Sequence, residues 1–110
     1  MVGVLLVNNH VLFRNGLRRL LEDDAAISVV GEADTGEAAL SFVARLAPQA
    51  VLMDLMLPGM GGLEATLRLR RQHPSIGVVI VTTQAHGSYP RRILAAGAHG
   101  VLDHGCEPVE

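Results

Sequence analysis

Ala50-Val51-Leu52-Met53-Asp54-Leu55-Met56-Leu57-Pro58-Gly59-Met60-Gly61-Gly62 is an apolar run that closes on one carboxylate and then on a loop. A short run of this kind reads as a buried strand of a parallel sheet, where both faces are covered and strict alternation is not required. Pro58 and the glycines after it keep the chain from continuing as strand or helix. In open α/β sheets, ligands and chemistry lie outside the carboxyl ends of the strands. Asp54 therefore stands where a functional acid is expected. The competing reading is a strand-end Asp that only caps the following turn.

Working outward, strand and helix patterns alternate along the chain. Val2 to Val7 is a continuous apolar strand broken by Asn8-Asn9, and a helix follows. Its apolar face carries Phe13, Leu17, Leu20 and Leu21, with Arg14, Arg18 and Glu22 facing outward. Ile27 to Ala33 is a second strand, polar toward its end, as suits a sheet edge. Thr35 is the N-cap of a helix with Ala39, Phe42, Val43 and Leu46 on one face, and Pro48 stops that helix. After the Asp54 strand a helix runs from Gly62 to His73, ended by Pro74. Gly77 to Val81 is the fourth strand and leads into Thr82-Thr83. A fourth helix starts near Pro90 and stops at Gly97, and Gly100 to Asp103 is the fifth strand. Such a β/α repeat with right-handed crossovers puts helices on both sheet faces. Glu107-Pro108 resembles the start of a fifth helix, but only seven residues follow Asp103. Without that helix, part of one sheet face lacks cover and invites association with a partner.

Composition narrows the function classes. At 110 residues the chain suits one domain, 1–110. Its core is aliphatic, because Phe13, Phe42 and Tyr89 are the only aromatic side chains. A net charge of −2 argues against nucleic acid as the direct partner. All nine basic residues are arginines. The lone Cys106 excludes an internal disulfide framework and fits a reducing cytoplasm. No apolar run approaches the roughly 18 residues that span a bilayer, so no membrane association is expected. No Ser-His-Asp set, Walker loop or dinucleotide fingerprint is present, and an independent enzyme is not expected.

Several stretches together carry a resemblance. They are Val4-Leu5-Leu6-Val7-Asn8-Asn9-His10, Val29-Val30-Gly31-Glu32-Ala33, Leu52-Met53-Asp54 through Pro58 to Gly61-Gly62-Leu63-Glu64-Ala65, Val81-Thr82, and Ala95-Ala96-Gly97-Ala98-His99-Gly100-Val101-Leu102. Over essentially its whole length the chain resembles the receiver domain of two-component response regulators. The branch is the one with a C-terminal helix-turn-helix of the LuxR type. The resemblance implies a flavodoxin-like, doubly wound five-stranded parallel sheet of order 2-1-3-4-5, with the pocket at the carboxyl ends of its strands. It implies a sensor histidine kinase as phosphodonor, homodimerisation, and DNA contact only through an output domain absent from this chain.

Carried over residue by residue, the resemblance makes Asp54 the phospho-acceptor. Mg²⁺ would be held by an acidic pair after the first strand, by Asp54, and by the backbone carbonyl of Met56. Thr82 matches the hydroxyl that grips the phosphoryl group. This sequence departs from the pattern at three places. The acidic pair is Asn8-Asn9, which removes two carboxylates and so impairs the Mg²⁺ site. His104 replaces a lysine, and imidazole is a poor substitute for a fixed ammonium. Val101 stands where an aromatic switch residue is usual.

Three readings of the pocket follow. The favoured one is a degenerate receiver without an Mg²⁺-dependent phosphoryl cycle and without a required cofactor. In it the Asn8 and Asn9 amides donate hydrogen bonds to Asp54, and output runs through protein contact or dimerisation. The second is a conventional receiver phosphorylated on Asp54 by a histidine kinase, with Mg²⁺. The third is a transition-metal or small-ligand site built from His10, His104, Asp54, Cys106 and His86. The remaining features read as structural. Met53, Met56 and Met60 fill gaps around the acceptor loop. Arg68, Arg70, Arg71, Arg91 and Arg92 lie on solvated helix faces.

Overall fold

The computed structural model of the protein describes residues 1–82 and 89–103. Strands β1 (Val2–Val7), β2 (Ile27–Ala33), β3 (Ala50–Asp54), β4 (Gly77–Thr82) and β5 (Gly100–Asp103) alternate with helices. These are α1 (Val11–Glu22), α2 (Gly36–Leu46), α3 (Gly62–Gln72) and α4 (Tyr89–Ala95). All strand pairings are parallel, in the order β2-β1-β3-β4-β5. This is the flavodoxin-like order expected from the sequence, with β2 at an edge.

Strand alternation divides the core into two layers. Leu5 and Val7 of β1, Val51 and Met53 of β3, and Val78 and Ile80 of β4 point to one face. There they pack with Ala39 and Val43 of α2, Ala65 and Leu69 of α3, and Ile93 of α4. Val4, Leu6 and Val29 point to the other face, where Leu17 and Leu21 of α1 meet them. That second layer is thinner. Every residue of α1 keeps some solvent exposure, and Ala50 and Leu52 are only half-buried. Residues 104–110, on which the expectation of an incomplete fifth helix rests, lie outside the described residues.

Local signals place the helices. Thr35 caps α2, its Oγ1 accepting from the Ala38 N–H at 3.0 Å. Ala47 ends that helix in the left-handed region at φ 48°. Leu46 lies at the helix rim, and its Cδ1 fills the space that Gly31 leaves open on β2.

Side-chain directions correct four expectations. Leu20 is 74% exposed, because it sits at the rim of the α1 stripe, away from the packed residues Leu17 and Leu21. Arg14 does not face outward; it is turned onto β2. Met56 is exposed and fills no gap, whereas Met53 is fully buried. Arg70 is half-buried, and its Nη1 donates to the carbonyls of Pro74 and Ile76, tying α3 to the start of β4.

Thr66, on the buried side of α3, is fully enclosed, and its hydroxyl has no hydrogen-bond partner among the described residues. Burying such a group costs about 1–3 kcal/mol, so an apolar side chain of the same shape removes the penalty. Thr66→Val is expected to raise the urea midpoint, stabilising the fold by up to about 1 kcal/mol. A lower midpoint would show that the hydroxyl is satisfied.

Candidate functional site

The site forms at the carboxyl ends of β1, β3 and β4. Asp54 closes β3 and is 5% exposed. Its ladder partner on β4 is Val81, and the Leu55 N–H continues the pairing to the Val81 carbonyl at 3.2 Å. On the other side Met53 pairs with Val7, so Asn8 follows β1 directly beside the position of Asp54. Thr82 ends β4, one residue beyond Val81, and pairs with Asp103. The sheet register thus brings Asn8, Asp54 and Thr82 to one end of three neighbouring strands. The side chain of Thr82, and His104, His86 and Cys106 altogether, lie outside what the structure describes.

Asp54 does cap its own turn: the Met56 N–H donates to Asp54 Oδ1 at 3.2 Å. The two readings of this residue are therefore compatible, since a carboxylate fixed by the loop behind it is also a pre-oriented acceptor. The hydrogen bond turns the backbone of Met56 toward the carboxylate and leaves its side chain in solvent. The following loop returns to β3 closely. The Gly62 N–H donates to the Leu55 carbonyl at 3.0 Å, and a Cβ on Gly62 would lie 2.3 Å from the Asp54 carbonyl oxygen.

Asn8 is 3% exposed, and its Oδ1 accepts from the His10 N–H at 2.7 Å. This orients the amide so that its NH₂, with two donors, is the end turned away from the turn. Asn9 and His10 are exposed. The two asparagines therefore do not form a matched pair: Asn8 is buried and committed, and Asn9 faces solvent.

Mg²⁺ is the ion that the resemblance implies for this pocket. A tight site needs oxygen ligands with carboxylate charge, because this ion sheds water reluctantly. Here the set holds one carboxylate, Asp54, and otherwise neutral oxygens, among them the buried Asn8 amide, which accepts from the His10 N–H. The set does not fit a tight Mg²⁺ site. Among the described residues, no three His, Cys, Asp or Glu side chains cluster in a way that could hold a metal.

Behind Asn8 lies an ionic arrangement that the helix periodicity did not reveal. Arg14 Nη1 donates to the Asn8 carbonyl at 2.6 Å, and Arg14 Nε donates to Glu32 Oε1 at 2.6 Å. Arg18 Nη1 meets Glu32 Oε2 at 2.5 Å. The signal was available: Arg14 and Arg18 share a helix face at i and i+4, and Glu32 is the one acid on β2.

The hydrogen bond from Arg18, and then Arg14, holds the Glu32 carboxyl below its usual value of 4.5, against the opposing effect of burial. A carboxyl lowered in the folded state stabilises above its ordinary value, and the contribution is lost as pH falls through the lowered one. Glu32→Gln should therefore be less stable than the wild type at neutral pH, with the gap closing below pH 4.5. Urea midpoints across that range check it. A gap that widens on acidification would assign Glu32 the opposite role.

A doubly wound sheet whose central strand closes on a buried acid is the arrangement expected of a receiver domain. The comparisons agree. Residues 4–110 match the family described as the response regulator receiver domain, and the chain belongs to it. It is 48% identical over 105 residues to the response regulator GacA of Pseudomonas viridiflava, covering 96% of this chain and 49% of GacA. It is 43% identical over 110 residues to the response regulator UvrY of Escherichia coli K12, covering all of this chain and 50% of UvrY. The chain thus spans about half the length of these relatives. Among solved structures, the receiver domain of NarL from Mycobacterium tuberculosis superposes with TM-score 0.87 at 33% identity, covering 92% of this chain and 82% of that one. A two-component response regulator of the LuxR family from Aurantimonas sp. SI85-9A1 superposes with TM-score 0.88 at 34% identity, covering 92% of this chain and 72% of that one, in line with the LuxR-branch expectation.

Proposed function

We propose that the chain is the regulatory receiver module, residues 1–110, of a response regulator, with a pocket depleted of metal-binding charge. It works by protein contact or homodimerisation and not by the usual Mg²⁺-dependent phosphorylation. The observation that carries this reading is the state of Asn8: a neutral, buried amide whose oxygen is committed to His10 N–H, beside a single carboxylate. Asn8 follows the strand next to that of Asp54, and its NH₂ group offers donors where the family has a carboxylate. The module is no independent enzyme and needs no cofactor on this reading. Target control passes to a separate DNA-binding output domain, and the protein acts in the cytoplasm. No helix among the described residues is long and apolar enough to cross a membrane.

A second reading has its own support. Asp54, the acceptor position that the resemblance implies, has its carboxylate held by the Met56 N–H, and the relatives are named as response regulators. On that reading a sensor histidine kinase donates the phosphoryl group to Asp54, with Thr82 and His104 on the phosphoryl oxygens and Mg²⁺ between Asn8, Asn9, Asp54 and Met56. Acetyl phosphate with Mg²⁺, followed by intact mass, separates the two. The expected result is no phosphoryl gain in the wild type. A gain of one phosphoryl group that Asp54→Ala abolishes would overturn the proposal in favour of the conventional cycle.

A further inference from the structure

Among the described residues, Arg14 joins the loop of the candidate pocket to the edge strand. Its planar guanidinium presents donors in fixed directions, so a single group can hold two acceptors at a set separation. One edge holds the Asn8 carbonyl at 2.6 Å, and the Nε holds Glu32 at 2.6 Å. Glu32 is itself fixed by Arg18. Asn8 is thereby gripped at both ends: its carbonyl by Arg14, and its side chain through the His10 N–H. The Asn8 N–H adds a bond to the Ala33 carbonyl of β2 at 3.0 Å, and the Arg14 N–H one to the His10 carbonyl at 2.9 Å. The segment from Asn8 to Arg14 is a closed ring of hydrogen bonds around the residue beside Asp54.

We infer that Arg14 is a positioning residue of the acceptor pocket, setting through Asn8 the place of the β1–α1 loop relative to Asp54, with Glu32 as its anchor. Its pocket role rests on the receiver reading of Asp54. Its mechanical role does not, and the test keeps the two apart. Charge alone does not suffice for this role. A lysine at position 14 offers one point charge and cannot span the Asn8 carbonyl and Glu32 in the same geometry.

The test uses the whole chain and two readouts. The first is amide hydrogen exchange by NMR. Arg14→Met keeps the apolar stem and should speed exchange of the His10 N–H about tenfold or more. The Gly77 and His73 N–H groups, bonded to Gln49 and Leu69 at the other end of the sheet, should stay within about twofold. Arg14→Lys should not restore protection. Glu32→Gln keeps an oxygen acceptor for Arg14 and should preserve it at neutral pH, whereas Glu32→Leu should not. Equal acceleration at both ends, or full rescue by lysine, would overturn the inference.

The second readout is the Mg²⁺ dependence of phosphoryl uptake from acetyl phosphate. It is read in the wild type if that takes up the group, and otherwise in the Asn8→Asp, Asn9→Asp variant. Arg14→Met should raise the Mg²⁺ concentration for half-maximal rate about tenfold while changing the maximal rate less than about threefold. A fall in maximal rate with no shift in Mg²⁺ dependence would overturn the pocket role. If neither protein is phosphorylated, the reading of Asp54 as phospho-acceptor fails and the pocket role of Arg14 with it, while the exchange data still decide whether Arg14 holds the loop.

Discussion

Gly62→Ala is expected to destabilise the fold by about 3 kcal/mol or more, the far end of the range for overpacking, because the obstruction is backbone. The added Cβ would lie 2.3 Å from the Asp54 carbonyl oxygen and 2.8 Å from Leu55 Cα. A flexible neighbour could swing away, but these atoms close β3. The Leu55 N–H is bonded to Val81, and the Leu55 carbonyl accepts from Gly62 itself. Relief therefore requires either lifting α3 off the strand or breaking the end of the β3–β4 ladder. For a domain near 100 residues each kcal/mol shifts the melting temperature by about 4–8 °C, so a fall of about 12 °C or more follows. Gly61→Ala is the internal comparison. Its Cβ would meet nothing nearer than the Leu55 carbonyl at 3.9 Å, and its φ of −68° suits any residue. Loss of glycine at that N-cap should cost about 1 kcal/mol or less. Equal melting temperatures for the two variants would mean that α3 does not start against β3 as described.

The fold was legible because its strands speak clearly. Val2–Val7, Ala50–Met53 and Gly77–Val81 are unbroken apolar runs, and from α2 onward the turns between elements carry Pro or Gly. Thr35 announced its helix by the one side-chain property that matters there, an oxygen able to accept from the third N–H onward. Asp54 was found because a charge that ends an apolar run has few reasons to be there.

What escaped the sequence was side-chain direction. Periodicity assigned Arg14 to solvent, since arginine on a helix usually snorkels outward. It cannot see that Glu32, far along the chain, comes to rest under the same face when β1 and β2 pair. Leu20 failed in the opposite way: the angular stripe was right, but the sheet beneath α1 reaches only Leu17 and Leu21. Nor could the spacing separate Asn8 from Asn9. Adjacent residues at a strand end point in different directions, and only one is buried.

That difference between the two asparagines sets up the largest expected change in ligand response. Replacing both, Asn8→Asp with Asn9→Asp, adds one buried carboxylate at the strand end next to Asp54 and one that faces solvent. Without metal, the new charge at position 8 lies in a 3% exposed site just past the end of β1, the strand next to the one that closes on a 5% exposed carboxylate. Like charges that close resist joint ionisation, so the variant should be less stable than the wild type in chelator, by about 1–3 kcal/mol at neutral pH. The backbone itself should tolerate the change. Asp keeps the oxygen that accepts from His10 N–H, so the turn is preserved. Added Mg²⁺ neutralises the cluster and binds only the folded state. At one hundred times its dissociation constant it should return about 2.7 kcal/mol. The wild type, with one carboxylate in the same place, should show almost no Mg²⁺ dependence of its urea midpoint. Midpoints measured for both proteins in chelator and across a Mg²⁺ titration give the answer. A wild type stabilised by Mg²⁺ as strongly as the variant would show that Asn8 and Asn9 do not limit the metal site, and would return the chain to the conventional phosphoryl cycle.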